Sequence, residues 1–135
     1  MTKHEEVKKG VIFPTGEKND AFAQYFIGQS YYKSLVADPK VSIIVGNVTF
    51  EPGCRNNWHI HRGGFQILLV TGGEGWYQEE GKPARFLKAG DVVVTYDGVK
   101  HWHGAAKDSW FEHLAITAGR PEWLEPVDDE MYNKL

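Results

Sequence analysis

Apolar residues in this chain occur in short runs separated by glycine, proline and aspartate. Several runs alternate β-branched positions with small or polar ones, which is typical of strands with one buried face. The pattern predicts strands over residues 29–36, 41–50, 66–71, 84–87, 91–95 and 111–117. Turn residues follow these runs at short intervals, with a glycine-rich turn expected at 72–75. We therefore expect an all-β sandwich or barrel.

Two regions fall outside this strand pattern. Residues 1–28 are mixed in character and are interrupted by Pro14, Gly16 and Gly28. We expect them to form an N-terminal arm or edge strands on a single barrel domain at residues 29–135. Residues 128–133 begin with acidic side chains, which favour the first turn of a helix. They predict one short C-terminal helix.

Composition and charge narrow the classes of partner. The net charge is -3 and the sequence pI is about 6.0, with basic residues scattered among acidic ones. We therefore expect neither nucleic acid nor a membrane as partner. No leader or membrane-spanning segment is evident, which predicts a cytoplasmic protein. The single cysteine, Cys54, fits a reducing compartment, and we interpret it as a small packing residue and not as a nucleophile.

The candidate chemistry lies in two histidine-rich segments. On a strand, residues two apart share a face, so His59 and His61 present two imidazoles to the same side. His101 follows the tight turn at Asp97 and Gly98, at the end of another predicted strand. Three imidazoles that converge in this way indicate a transition-metal site.

Gln66 is the candidate for a fourth ligand, but its spacing raises a question of register. It lies an odd number of residues from His59, so on an unbroken strand it would point to the opposite face. The adjacent residues Gly63 and Gly64 have the conformational freedom for a turn or bulge that resets the register. We therefore predict a turn or bulge there, after which Gln66 returns on a paired strand. The amide oxygen adds Mn to the metals that histidine favours, namely Zn, Cu, Fe and Ni.

These residues resemble the two sequence motifs of the cupin family. The matching positions are Gly53, His59, His61 and Gly73 in the first motif, and Gly90, Gly98 and His101 in the second. Gln66 stands where the first motif usually has glutamate. The resemblance implies a cupin double-stranded β-helix, which is a jelly-roll barrel.

A narrower resemblance is carried by the segments at residues 26–28, 48–53, 58–61, 90–93, 100–106, 113–116 and 129–132. They resemble the small single-domain cupins, a group that includes manganese-dependent bacterial hydroxynitrile lyases and cupins associated with carboxymuconolactone decarboxylase-like domains. That resemblance implies metal ligands at His59, His61, Gln66 and His101, and a general base at His113. It also implies a divalent transition metal, with manganese first and iron, nickel, zinc or cobalt as alternatives. The segment between His61 and Gln66 is one residue longer than in those lyases, which leaves the substrate open.

Two further histidines keep alternative interpretations. His113 alternates with Phe111 and Ala115 on a presumed inward face, so it fits a core histidine as well as a catalytic base. His103 shares a nominal strand face with His101, but the cupin motif uses only the first of the two. We interpret His103 as a structural residue or as a residue that supports a ligand.

Three functions remain open at this point. The first is a metal-dependent lyase that resembles the hydroxynitrile lyases and acts on a small hydroxy or carbonyl compound. The second is a dioxygenase that uses Fe(II) and O₂, and the third is a non-catalytic cupin that binds a metal or small molecule. The partner in each case is a small molecule. Family resemblance also predicts a homodimer or higher homo-oligomer.

Overall fold

The computed structural model describes residues 11–135, and strands dominate them. The strands are β1 (Glu17–Lys18), β2 (Phe26–Ile27), β3 (Ser30–Val36), β4 (Ile44–Phe50), β5 (Arg55–Asn56), β6 (His59–Glu79), β7 (Arg85–Lys88), β8 (Val92–Thr95), β9 (His101–Ala105) and β10 (Phe111–Trp123). A 3₁₀ helix covers Asp20–Tyr25, and helix α1 covers Asp129–Asn133. The predicted all-β fold and C-terminal helix are confirmed. No helix within residues 11–135 is long and apolar enough to cross a membrane.

Strand β6 is the centre of the sheet. Its first part pairs with β8 and β10, and its second part pairs with β7 and β9. The turn predicted at residues 72–75 is wrong, because β6 continues through them. Gly73 has a φ of 69°, and a Cβ there would lie 1.8 Å from the backbone oxygen of Trp110. The glycines thus allow a bend and a bulge within one continuous strand. The sequence pattern had predicted that the strand ends there.

A second irregularity in β6 positions the candidate fourth ligand. Gly63 and Gly64 lie opposite the single residue Gly119 of β10, and Gly63 has a φ of 77°. This bulge shifts the alternation of side chains by one residue, so that Gln66 shares the inner face with His61. The predicted reset of the register is confirmed as a bulge. The predicted return of Gln66 on a separate, paired strand is wrong, because β6 continues through the bulge.

The N-terminal segment occupies both edges of the sheet. In the strand order β1-β3-β4-β10-β6-β9-β5-β2, β1 pairs with β3 at one edge and β2 pairs with β5 at the other. The 3₁₀ helix connects these two short strands. Residues 11–28 therefore contribute edge strands, whereas the first ten residues of the predicted arm lie outside the described part of the chain.

The inner face of the curved sheet forms the core. Its fully or nearly fully buried apolar members are Val48, Phe50, Cys54, Leu68, Val70, Tyr77, Leu87, Val93, Ala105, Phe111 and Ala115. Burial of a large apolar side chain stabilises a fold by about 1.5–3 kcal/mol. Burial also raises the pKa of the Cys54 thiol to about 12, which agrees with a packing role. The histidines of the candidate site share this interior, where charged forms are disfavoured.

Candidate metal centre

Three histidines meet inside the barrel. One ring nitrogen from each of His59, His61 and His101 lies within 4.8 Å of the other two, and all three side chains are buried. His59 and His61 lie on β6, and His101 is paired with His59 in the register between β6 and β9. The predicted convergence of the three imidazoles is confirmed.

Backbone carbonyls fix the tautomers of two of these rings. Nδ1 of His59 lies 2.8 Å from the Asn57 carbonyl, and Nδ1 of His101 lies 3.0 Å from the Val99 carbonyl. A carbonyl oxygen only accepts, so each Nδ1 must carry the proton and donate it. Each neutral ring then has its lone pair on Nε2, as in a histidine prepared to bind a metal.

The same environment keeps the three rings uncharged. Burial lowers the pKa of His101 to about 4 and that of His59 well below its ordinary value, with His101 adding to the shift of His59. Burial also lowers the pKa of His61, although the nearby Gln66 amide opposes part of that shift. At neutral pH the cluster therefore presents neutral imidazoles, the form that binds a transition metal.

The contacts of His61 and Gln66 indicate that this cluster binds a cation. Both ring nitrogens of His61 are buried without a hydrogen-bond partner. Gln66 donates from Nε2 to Thr117 Oγ1 at 3.1 Å, which leaves Oε1 3.2 Å from His101 Nε2. Because Nδ1 carries the proton of His101, two lone pairs face each other across this short distance. A cation among these atoms would remove that repulsion and satisfy the unpaired His61 ring.

Three neutral imidazoles and one amide oxygen form a chemically consistent donor set. Imidazole suits Zn, Cu, Fe and Ni, and an oxygen donor also suits Mn. Four protein ligands in a six-coordinate site would leave roughly two positions for water or substrate. The residues present thus fit a divalent transition metal of the kind that the resemblance implies.

His113 lies apart from this cluster and reaches it through His103. The His113 ring contacts Phe50, His103 and Phe111, at centroid distances of 5.4, 4.8 and 5.4 Å. Its Nε2 lies 3.1 Å from His103 Nδ1, and the His103 ring lies 5.5 Å from that of His59. Burial lowers the pKa of His113 to about 3, and its Nδ1 has no hydrogen-bond partner. His113 is therefore a buried, uncharged core histidine that is separated from the cluster by the His103 ring.

Sequence reasoning missed Asn56, which holds His103. The Asn56 Oδ1 accepts the backbone N–H of His103 at 3.0 Å, and its Nδ2 lies 3.2 Å from His103 Nε2. Asn56 belongs to the two-residue strand β5, whose pairing with β9 brings it beside His103. A strand of that length leaves no periodic signal in the sequence, so this contact could be found only in the structure.

Aromatic rings form the walls around the cluster. The Trp123 ring lies 4.6 Å from that of His59, and Tyr25 stacks on Trp123 at 4.7 Å. On another side the Tyr77 ring lies 5.7 Å from that of His101. Tyr77 also lines a pocket of about 230 Å³ that opens to the surface. The aromatic walls suit a small and partly apolar ligand, whereas the pocket beside Tyr77 is also lined by the charged residues Glu79, Lys82 and Arg85.

Comparisons with known proteins agree with this geometry. The chain is 43% identical over 117 residues to an (R)-mandelonitrile lyase of Granulicella tundricola. The alignment covers 83% of this chain and 88% of the relative. A cupin-like protein of Thermotoga maritima superposes with a TM-score of 0.86 at 46% identity, covering 92% of this chain and 96% of that one. A predicted oxalate decarboxylase of the same organism superposes with a TM-score of 0.65 at 26% identity, covering 70% and 84%.

The family assignment rests on the same residues as the site. The family model described as "Cupin domain" matches residues 46–117, and this stretch contains His59, His61, Gln66 and His101. Those residues lie on the inner face of a jelly-roll barrel, and the match spans more than half of the chain. With that match and the relatives above, the chain belongs to the cupin family.

Proposed function

We propose that this chain is a metal-dependent lyase that cleaves cyanohydrins into an aldehyde and hydrogen cyanide and also forms them. His59, His61, Gln66 and His101 would hold a divalent metal, with manganese as the first candidate. The observation that carries this proposal is the pair of facing lone pairs on Gln66 and His101 beside the unpaired His61 ring. The identity of 43% to an (R)-mandelonitrile lyase supplies the reaction class.

The neutral donor set accounts for the kind of chemistry. A divalent ion held there would supply Lewis acidity, which polarises a bound oxygen and lowers the pKa of a hydroxyl. Gln66 stands where a cupin usually has a glutamate, so the protein adds no negative charge that would weaken this effect. The buried, apolar surroundings strengthen it further, because screening by water is reduced.

His103 and His113 would accept the proton that the reaction releases. Cleavage breaks the O–H bond of the cyanohydrin and the bond between its carbinol and nitrile carbons, and it forms a carbonyl. The electron pair of the broken C–C bond leaves with cyanide, and the hydroxyl proton passes to the histidine pair. That proton then returns to cyanide, which departs as hydrogen cyanide. Burial lowers the pKa of both imidazoles, so they are uncharged at neutral pH and would hold the transferred proton only weakly before it returns to cyanide.

The test begins with protein purified without added metal. Elemental analysis should find a divalent transition metal, and the manganese-loaded protein should release benzaldehyde and cyanide in equal amounts from (R)-mandelonitrile. Removal of the metal with a chelator should abolish the reaction, and re-addition should restore it.

Two outcomes would contradict the proposal. If neither the manganese nor the iron form releases cyanide, the lyase assignment is wrong. Consumption of oxygen by the Fe(II) form with diketones or catechols, without cyanide release, would instead support the dioxygenase. Tyr31→Phe is a suitable control variant, because the Tyr31 hydroxyl donates to Glu51 at 2.7 Å, away from the cluster.

A further inference from the structure

Tyr32 occupies space that Gly46 leaves open. An ideal Cβ at Gly46 would lie 2.3 Å from Cε2 of the Tyr32 ring and 2.4 Å from its hydroxyl oxygen. The φ of Gly46 is not in the left-handed region, so its backbone does not require glycine. The small residue is therefore explained by the ring that passes over it.

The Tyr32 ring lies on the inner face of the sheet, near the row that contains the candidate fourth ligand. Tyr32 packs against the buried core. Gly46, beneath its ring, pairs with Ala115 of β10, and two residues further along β10 Thr117 pairs with Gln66. Neighbouring strands are about 4.8 Å apart and two residues along a strand span about 6.8 Å, so the Gly46 backbone lies roughly 8 Å from that of Thr117 and roughly 12 Å from that of Gln66. The side chains of Tyr32 and Gln66 both extend inward from these positions, which narrows the gap between them.

The hydroxyl of Tyr32 differs from that of Tyr31 in its contacts with the described part of the chain. It has no hydrogen-bond partner within residues 11–135, and the side chain is only partly buried. Burial raises the pKa of Tyr32, so the phenol stays protonated and remains a donor. The neighbouring Tyr31 differs, because its hydroxyl already donates to Glu51.

We propose that Tyr32 contacts the substrate and donates a hydrogen bond to the nitrile nitrogen of a cyanohydrin whose hydroxyl lies at the histidine cluster. This inference rests on the proposed function. The nitrile group is linear and points away from the carbinol oxygen. If that oxygen lies near Gln66, the nitrile nitrogen lies further from Gln66, where the Tyr32 hydroxyl can donate to it. During cleavage negative charge develops on the departing cyanide, and a donor already in place stabilises that charge. The proton stays on the phenol throughout.

Two variants of the metal-loaded full chain test this contact. Tyr32→Phe removes only the hydroxyl and keeps the ring, and we expect kcat for (R)-mandelonitrile to fall about 10-fold, which is less than the loss of an oxyanion donor because the site is partly exposed. Gly46→Ala forces the ring aside and should produce a comparable loss. Tyr31→Phe removes a hydroxyl from the opposite face and should leave kcat and KM unchanged. Thermal unfolding confirms that each variant is folded.

A readout that is independent of turnover separates this inference from the proposed function. The infrared stretch of phenylacetonitrile bound to the wild type should show the shift to higher frequency that accompanies a hydrogen bond at nitrogen, and Tyr32→Phe should abolish that shift. If the wild type shows the shift but cleaves no mandelonitrile, the lyase assignment fails and the Tyr32 contact stands. An unshifted band in the wild type, or equal bands and equal kcat in wild type and Tyr32→Phe, would overturn the role of Tyr32.

Discussion

The barrel contains two groups of buried histidines that differ in what their nitrogens face. In the cluster of His59, His61 and His101, two rings donate outward to backbone carbonyls and turn their lone pairs toward one another. In the pair of His103 and His113, the rings contact each other directly and the Asn56 amide holds one of them. Both groups are buried to nearly the same extent. The direction of the lone pairs, and not burial, therefore distinguishes a candidate ligand from an internally bonded histidine.

The largest effect on metal binding should appear when a substitution in one group is compared with a substitution in the other. His101→Ala removes a proposed ligand and should weaken metal binding by about 100-fold or more, because loss of even an outer supporting residue costs 10–100-fold. His103→Gln, two residues further along the same strand, should retain a full equivalent of metal. Elemental analysis after dialysis measures both. Equal loss of metal in the two variants would contradict the distinction.

Acid should destabilise the metal-free protein through both groups together. The folded-state pKa is about 4 for His101 and about 3 for His113, below the ordinary value of 6.5. Between pH 6.5 and 4 the unfolded chain binds more protons than the folded one, so stability present above pH 6.5 is lost as the pH falls. Each such histidine contributes a slope of about 1.4 kcal/mol per pH unit. Denaturant unfolding at several pH values measures the slope.

The matched control for this pH dependence is His113→Asn, which removes one of the titrating groups. Its slope should be smaller than that of the wild type by about one proton, or about 1.4 kcal/mol per pH unit. An unchanged slope would show that His113 is not held neutral in the folded state.

Gln66→Glu adds a negative charge to the cluster and tests whether its neutral ligand set matters for catalysis. The histidine pair should be unaffected. Gln66→Glu places a carboxylate beside the three imidazoles, so metal affinity should rise while the Lewis acidity of the site falls. We expect kcat to fall about 10-fold, which corresponds to about 1.4 kcal/mol in the barrier. Competition with a chelator measures affinity, and cyanide release measures kcat. A rise in both would contradict this account.

The smallest expected effect on metal binding concerns Asn56, which supports the pair. Asn56→Ala leaves the backbone N–H and ring of His103 without their partners, and an unpaired buried group costs about 1–3 kcal/mol. The free energy of unfolding should fall by that amount while metal content stays unchanged. Loss of metal in this variant would indicate that the two groups are coupled through His103.

Much of the site could be predicted from local sequence because its ligands lie at fixed spacing on strands. His59 and His61 share a face by alternation, and the odd offset of Gln66 required a reset of the register at Gly63 and Gly64, although not the paired strand that we expected after it. The same reasoning failed at residues 72–75, where glycines also bend the chain but the strand continues. A glycine pair supplies the freedom for a turn or a bulge, and long-range pairing with β10 decides between them.

Other contacts could not be predicted because they join elements that are distant in sequence. Asn56 meets His103 across the pairing of β5 with β9, and Tyr32 lies over Gly46 across that of β3 with β4. Neither residue carries a local pattern that points to the site. For His113, the sequence predicted an inward side chain, whereas the intervening His103 is visible only in three dimensions.

The way residues 17–27 reach both edges of the sheet has a consequence for aggregation. Strand β1 covers β3 at one edge, and β2 covers β5 at the other. Each of these edge strands is only two residues long, so it offers another molecule few unpaired backbone groups. Truncation of the chain at residue 29 would make the seven-residue strand β3 an edge, with a longer row of unpaired groups, and should therefore favour edge-to-edge association.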